Sequence, residues 1–119
     1  MLTFLREGGF PIWFLLVFCV LLLVAGARFA IRPDSARLRL ALALGVATSF
    51  TTVTAICADL AAVGHHAPTF LARHPEMTLA SVLLQGMAES LSPAIVGCTV
   101  LALAALFIGL GCYRETLET

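Results

Sequence analysis

The chain has 119 residues, of which 61% are hydrophobic and only 12% are charged. Soluble domains carry about 45–50% apolar and about 25% charged residues, so this composition predicts an integral membrane protein. The formal net charge is zero, and all seven basic residues are arginine. Such a chain lacks the extended basic face that nucleic-acid binding requires, so no nucleic-acid partner is expected.

The first apolar run extends from Phe10 to Ala27 and follows a short polar lead with one arginine and one glutamate. Trp13, near its start, suits an anchor at the membrane interface. A secretory signal peptide is the competing interpretation, because Ala25-Gly26-Ala27 resembles a cleavage site of small residues. Since the charges of the lead cancel and the run is long, a retained spanning helix over about 10–31 is predicted.

The connection that follows, residues 28–39, holds four arginines and one aspartate. Pro33 ends the first helix, and Asp34 or Ser35 is a suitable N-terminal cap for the next one. A short and strongly basic connection is expected on the cytoplasmic side of the membrane. The N-terminus is then predicted outside and the C-terminus in the cytoplasm.

A second apolar run, Leu40 to Ala58, predicts a spanning helix over about 38–60. The stretch 61–76 contains Gly64, Pro68 and Pro75 around its histidines, and it is predicted to be an exposed, turn-rich connection. Cys57, like the other three cysteines, falls in or at the end of an apolar run and is expected to be a small buried packing residue.

Beyond this connection, Thr78 is a suitable cap for a third helix over about 78–113. From Leu91 to Tyr113 there is no charged residue. At ~1.5 Å per residue this run crosses the ~30 Å hydrocarbon core of a bilayer. The sequence therefore predicts an all-α protein, with residues 1–119 forming a single three-helix membrane domain.

Polar side chains recur on one face of each of the last two helices. The residues on these faces are Thr48, Thr52, Ala55 and Asp59 on the second helix and Glu89, Ser92, Val96 and Thr99 on the third. Spacings of three and four residues place side chains on the same side of a helix. Because lipid-facing surface does not hold polar groups cheaply, the two faces predict a shared polar seam. The lining of this seam would comprise Thr48, Thr52, Asp59, Glu89 and Ser92.

The alternative interpretation of the hydroxyl groups is structural. Serine and threonine in membrane helices often donate a hydrogen bond to their own backbone or pack one helix against another. Asp59 and Glu89 are the stronger functional signals, although both also suit contact with water at the edge of the membrane.

Pro93 is predicted to kink the third helix, because it lacks the N–H group that would bond to the carbonyl of Glu89. Ser92 is expected to satisfy part of the freed backbone. Small residues at Gly86, Ser90 and Gly97 give this helix a thin face, which favours close helix contacts and a homo-oligomer.

No cofactor, metal site or enzymatic activity is expected. The spacing of His65, His66 and His74 fits no tetrahedral metal template, and a solvated loop is the favoured interpretation of these residues. No combination of nucleophile and base is evident either, so catalysis has the least support among the possible functions.

With these residues identified, the chain resembles a reduced member of the MotA/TolQ/ExbB proton-channel family. The opening Glu7-Gly8-Gly9-Phe10-Pro11-Ile12, followed by an apolar helix that ends in Arg28, is similar to the family's first span. Thr51-Thr52-Val53 stands where the family typically shows Gly-Thr-Val. Gly86-Met87-Ala88-Glu89-Ser90-Leu91, followed by Gly97, resembles the family's Gly-x-x-Glu-Ala-Leu-x-x-Thr-Ala-x-Gly pattern.

The resemblance implies a ring, usually of five subunits, around helices of a single-span ExbD/TolR/MotB-like partner. The proton-motive force moves that partner, which supplies the aspartate that carries the proton. By position, Thr52 would face the ion pathway and Glu89 its outer part. The implied location is the bacterial inner membrane. There the chain would be a multi-pass subunit that contacts the lipid bilayer and the partner.

Two other functions are open at this point. The family's third-span threonine falls on Ala94, and the large cytoplasmic domain is absent, which favours a homo-oligomeric scaffold that does not conduct. A small transporter with its substrate site at the helix kink is the other alternative, although no inverted repeat supports it.

Overall fold

The structure is a computed structural model that describes residues 10–119, with side chains from Trp13 onward. The polar lead 1–9 lies outside the described residues, as do the side chains of 10–12. The first motif of the family resemblance, which begins at Glu7, therefore has no structural account.

Four α-helices account for nearly all of the described residues. They are α1 (Phe10–Ile31), α2 (Ser35–Arg73), α3 (Leu79–Ser90) and α4 (Ser92–Glu118). There is no strand between residues 10 and 119. Three segments are long and apolar enough to cross a membrane, namely α1, α2 and the pair formed by α3 and α4. The prediction of an all-α protein with three candidate spans is confirmed for this part of the chain.

The short connection between α1 and α2 forms largely as its residues predict. The N–H group of Arg32 bonds to the Arg28 carbonyl at 3.0 Å, and Pro33 follows directly after this last turn of α1. Asp34 occupies the N-cap position of α2 in an extended conformation, but its side chain makes no capping hydrogen bond. The tight turn therefore comes from the proline and the extended backbone.

The prediction of a turn-rich connection over 61–76 is wrong, because α2 continues through it to Arg73 and includes Pro68. Val63 and Ala67 extend the inward face of α2, with Ala67 buried and Val63 packed on Gly86 of α3. This packing outweighs the local turn signals. His65 and His66 accordingly lie on a helix instead of a loop, although both are exposed.

The true connection between α2 and α3 spans only residues 74–78. The N–H group of His74 bonds to the Phe70 carbonyl at 3.0 Å and ends α2. Thr78 caps α3 as predicted, since its Oγ1 accepts a hydrogen bond from the Ser81 N–H at 3.3 Å.

The contacts between helices show which residues of different helices lie at the same height along the bundle. Gly26 lies against Phe107, and Gly111 lies against Phe29, so α1 and α4 run parallel. Continuing this pairing toward the N-terminus brings Phe10, the first residue of α1, to about the level of Leu91.

The antiparallel pairing of α2 with α3 and α4 extends the same register. Thr52 lies on Gly97 and Val63 lies on Gly86, which brings Asp59 to about the level of Leu91. The molecule therefore has a three-helix part below this level and a two-helix hairpin above it. With 39 residues in α2 and 22 in α1, α2 is longer by about 25 Å at ~1.5 Å per residue. The molecule measures 68 × 21 × 21 Å as a consequence.

The interior of the three-helix part is built from small and apolar side chains. Leu22 and Phe29 of α1 are fully buried, as is Ala41 of α2, while Gly111 of α4 provides the surface against Phe29. Large apolar side chains such as Phe50 and Leu106 point outward instead. An apolar exterior over a thin, closely packed interior is the arrangement that membrane helices favour.

The prediction that the cysteines are buried is correct for one of the four. Cys19 is buried in the bundle, whereas Cys57, Cys98 and Cys112 are exposed on its surface, and all four are free thiols. Each exposed cysteine lies on an outward-facing helix surface, so the expectation of small packing residues inside the chain is wrong for these three.

The close approach of α1 and α4 gives the first testable prediction. A Cβ atom at Gly111 would lie 2.5 Å from Cδ1 of the fully buried Phe29 ring. Gly111→Ala is therefore expected to lower the free energy of unfolding by about 1–3 kcal/mol, the usual cost of overpacking.

Gly109→Ala is the matched control, since it lies in the same helix with no atom within 4 Å of its Cβ position. The control should be neutral or more stable by up to about 1 kcal/mol, because alanine has the higher helix propensity. Denaturant unfolding in micelles measures both variants, and equal effects would contradict the packing described for Gly111.

Candidate functional site

The polar face predicted for α2 lies inside the protein. Thr48 is 0% exposed and Thr52 is 5% exposed, and Ala55, on the same face, is also buried. Asp59, near the rim of the three-helix part, is half-buried. The prediction that this face turns toward protein is consistent with these positions, and the surrounding surface is provided mainly by the other two helices of the bundle.

Thr52 makes the closest contact of this face with α4. A Cβ atom at Gly97 would lie 2.7 Å from Thr52 Cγ2 and still closer to its Oγ1. Only glycine allows the two backbones to approach this far. Thr52 and Gly97 belong to two different motifs of the family resemblance, and the fold brings them into direct contact.

The hydroxyl groups of the membrane-type helices are satisfied locally. Thr48 donates to the Leu44 carbonyl at 2.7 Å, and Thr52 donates to the Thr48 carbonyl at 2.7 Å. The same bond to the carbonyl four residues earlier is made by Ser49, Thr51, Thr54, Ser90 and Thr99. This is the geometry expected from the structural interpretation, since a hydroxyl bonded in this way needs no other polar partner.

The second predicted polar face, on α3 and α4, turns outward. Glu89 and Thr99 are exposed, and Ser92 is half-buried. The inward face of these helices consists instead of small side chains, with Ser90, Pro93, Gly97, Ala104 and Gly111 all buried. The single chain therefore does not bring Thr48 and Thr52 together with Glu89 in one seam. Small residues occupy the interior because they allow close backbone contact.

The helix interruption lies two residues before Pro93. α3 ends at Ser90, and the N–H group of Leu91 bonds to the Ala88 carbonyl at 3.3 Å in a tighter turn. Pro93 occupies the first turn of α4, where its missing N–H group costs little. The predicted kink thus takes the form of a new helix start, at the level where α1 begins.

Ser90, and not Ser92, turns its hydroxyl back onto the helix at this interruption. Its Oγ donates to the Gly86 carbonyl at 2.8 Å, and the residue is only 2% exposed. The small side chain of Ser90 suits the narrow interior at the point where α3 ends. From the sequence, this hydrogen-bonding role is predicted for Ser92 instead, next to the backbone that Pro93 frees.

Glu89 lies in an open groove between α2 and α3, just above the three-helix part. The groove has a volume of about 380 Å³ and is lined by Val63, His66, Ala67, Phe70, Val82, Gln85, Gly86 and Glu89. These positions repeat at intervals of three and four residues along both helices, so they form one face of each. His66 and Gln85 join Glu89 as the polar groups of this surface. From the sequence, His66 is assigned to a solvated loop and Gln85 is given no role, although the apolar spacing from Val63 to Phe70 is a helical signal.

Within residues 10–119, no group of three or more histidine, cysteine, aspartate or glutamate side chains could hold a metal ion. Two carboxylates, Asp59 on α2 and Glu89 on α3, each lie near the level of the interruption. Carboxylates at this level are suited to contact with water or with cations at a membrane surface.

The fold and these positions define a helical protein of the multi-pass membrane class. No protein-family model, curated protein or solved structure matches the chain. The particular function is therefore argued from the geometry of the helices and from the residues themselves.

The contact between α2 and α4 gives a second testable prediction. Gly97→Ala should lower the free energy of unfolding by about 1–3 kcal/mol, because the new methyl group collides with Thr52. The double variant Gly97→Ala/Thr52→Ala should recover most of this loss, since it exchanges side-chain volume between the two helices.

Denaturant unfolding of the two single variants and the double variant forms the test. A coupling energy near zero would show that the two residues do not touch and would contradict the register between α2 and α4.

Proposed function

We propose that the chain is a subunit of an oligomeric, proton-driven membrane channel or motor of the MotA/TolQ/ExbB type. In this proposal five copies form a ring around a helix of a single-span ExbD/TolR/MotB-like partner in the bacterial inner membrane. The N-terminus lies outside and the C-terminus in the cytoplasm, as the basic connection between α1 and α2 favours. The chain itself is not an enzyme.

The observation that most supports this proposal is the contact between Thr52 and Gly97. The residues that carry the resemblance come from separate helices, and a chance likeness of short motifs gives no reason for them to meet. Glu89 belongs to the same motif as Gly97. It lies about two helical turns before Gly97, toward the outer end, and is exposed. An exposed acid in the open groove between α2 and α3 is available to a path that other subunits help to form.

The burial of the threonines assigns roles within the proposal. Glu89 faces the path at its outer end, with Asp59 and Ser92 near the same level. Thr48 and Thr52 lie behind the residues that face the path, because they are buried and their hydroxyls already bond to α2 carbonyls. Their part is to fix the separation between α2 and α4.

The chemistry of transport falls to the partner in this scheme. A carboxylate crosses a low-dielectric region at far lower cost when it is protonated. Moving one charge through 100 mV is worth ~2.3 kcal/mol, and this free energy drives the movement of the partner within the ring.

A homo-oligomeric scaffold that does not conduct is the second candidate. The observation that favours it is the satisfaction of the α2 hydroxyls by their own helix, which leaves no hydroxyl in need of an ion or water. In this case the outward surfaces of α3 and α4 serve assembly alone, and Glu89 on α3 contacts water.

The role of Glu89 gives the third testable prediction. Complexes purified from the native membrane are reconstituted in liposomes, and proton flux is followed with a pH-sensitive dye under an imposed potential. Glu89→Gln should reduce the flux at least tenfold, because the path then lacks its outer charge. Glu76→Gln, in the connection between α2 and α3, is the matched control and should leave the flux unchanged.

Flux that survives Glu89→Gln would remove this residue from the path. A defined ring without proton flux in the wild-type complex would establish the scaffold instead. A monomer as the only species in native mass spectrometry would contradict both candidates.

The fourth prediction concerns Thr52. Thr52→Val keeps the shape of the side chain but removes the hydroxyl, so a residue that acts only by packing should retain proton flux within about twofold. Thr52→Leu, which enlarges the side chain against Gly97, should lower both flux and stability. Loss of flux in Thr52→Val with unchanged unfolding would instead place the hydroxyl in the path.

A further inference from the structure

Charge is distributed unequally between the two ends of the molecule. Of the six arginines in residues 10–119, five lie at the end where α1 meets α2 and where α4 finishes: Arg28, Arg32, Arg37, Arg39 and Arg114. The sixth, Arg73, lies at the tip of the two-helix hairpin. The first group is called the arginine cluster below.

Backbone contacts gather the arginine cluster at a common level. Arg114 Nη1 donates to the Ala30 carbonyl at 2.9 Å and to the Ile31 carbonyl at 3.4 Å, which joins the C-terminal part of α4 to the end of α1. Arg37 Nη1 donates to the Arg32 carbonyl at 3.2 Å across the connection.

Two further members of the cluster flank this connection at matching depth. Arg28 precedes the end of α1 by three residues and Arg39 follows the start of α2 by four, so both lie about 5 Å from the connection at ~1.5 Å per residue. The five arginines therefore lie at nearly the same height at one end of the bundle.

These charges are not neutralised by carboxylates of the described chain. The salt bridge found in residues 10–119 is the pair His74–Glu76 at the opposite end. Three acids, Asp34, Glu115 and Glu118, are near the cluster, yet none lies within 4.0 Å of an arginine nitrogen. The end carries five positive charges against three negative ones, and the hydrogen bonds that its guanidinium groups make within the described residues go to backbone carbonyls.

Exposed apolar side chains adjoin the arginines at the same level. Ile31 is exposed directly before Arg32, Leu40 directly after Arg39, and Tyr113 directly before Arg114. A surface that combines guanidinium groups with aliphatic and aromatic side chains matches both parts of a phospholipid, the phosphate and the first carbons of the acyl chains. A free phosphate ion uses only the first of these.

We propose that the arginine cluster is a binding site for the phosphate headgroup of anionic phospholipids. Guanidinium groups bind phosphate oxygens through two parallel hydrogen bonds, and several arginines at one height suit a layer of headgroups. The site belongs to the leaflet on the side of the basic connection. It rests on the charge and packing of this end alone and holds whether or not the protein conducts protons.

The test uses the purified full-length chain in uncharged micelles, titrated with phosphatidylglycerol or phosphatidylcholine and observed by native mass spectrometry. Phosphatidylglycerol should bind more tightly. Each basic residue near a membrane contributes a factor of about five in affinity. Arg32→Gln/Arg39→Gln, whose guanidinium groups have no hydrogen bond within the described chain, should therefore weaken binding about 25-fold.

Arg73→Gln is the matched control, since this exposed arginine lies at the other end, and it should change the affinity by less than about twofold. Unfolding curves of all variants in micelles confirm that they are folded. Raising the salt concentration to about 0.5 M should weaken the phosphatidylglycerol complex, because exposed charges are screened within a few ångströms.

Three results would overturn the proposal. Equal affinity for the two lipids would show that charge is not recognised. Equal losses in Arg73→Gln and in the double variant would show that the location is wrong. Inorganic phosphate at about 10 mM can compete with the lipid only through the guanidinium groups. Displacement of the lipid at this concentration would assign the site to free phosphate instead.

Discussion

The structure depends on how closely α4 approaches its neighbours. Two glycines make this approach, Gly97 against Thr52 of α2 and Gly111 against Phe29 of α1. Because the hydrophobic effect gives little drive between helices surrounded by lipid, close van der Waals contact has to hold such a bundle together. These two contacts set the register of all three helices. The positions of the carboxylates and the arginines then follow from that register.

The second constraint is the satisfaction of polar groups inside an apolar bundle. Thr48 and Thr52 are buried, and each donates its hydroxyl hydrogen to a carbonyl of its own helix. No buried side-chain nitrogen or oxygen in the described residues lacks a hydrogen-bond partner. The same hydroxyls that suggested an ion pathway therefore also suit a packing role. In the proposed channel, Glu89 is then the main residue that faces the path.

The two ends of the molecule differ in a way that fits a membrane subunit. At one end the arginine cluster meets exposed apolar side chains, which suits a layer of anionic headgroups. At the other end α2 and α3 continue as a hairpin of about 20 Å beyond α1, with Glu89 and His66 in the groove at its base. A channel subunit, a scaffold and a lipid-binding protein are all compatible with this polarity, and the role proposed for Glu89 belongs to the first of them.

The sequence by itself determined the helical class, the positions of three apolar segments, the Thr78 cap and the concentration of arginine at one end. These properties follow from local composition and spacing. Only the tertiary structure decided that α2 continues to Arg73, that Thr52 is buried while Glu89 is exposed, and that Ser90 lies inward. The reason is that each depends on which backbone surfaces meet, and glycines distant in sequence from their partners set that distance.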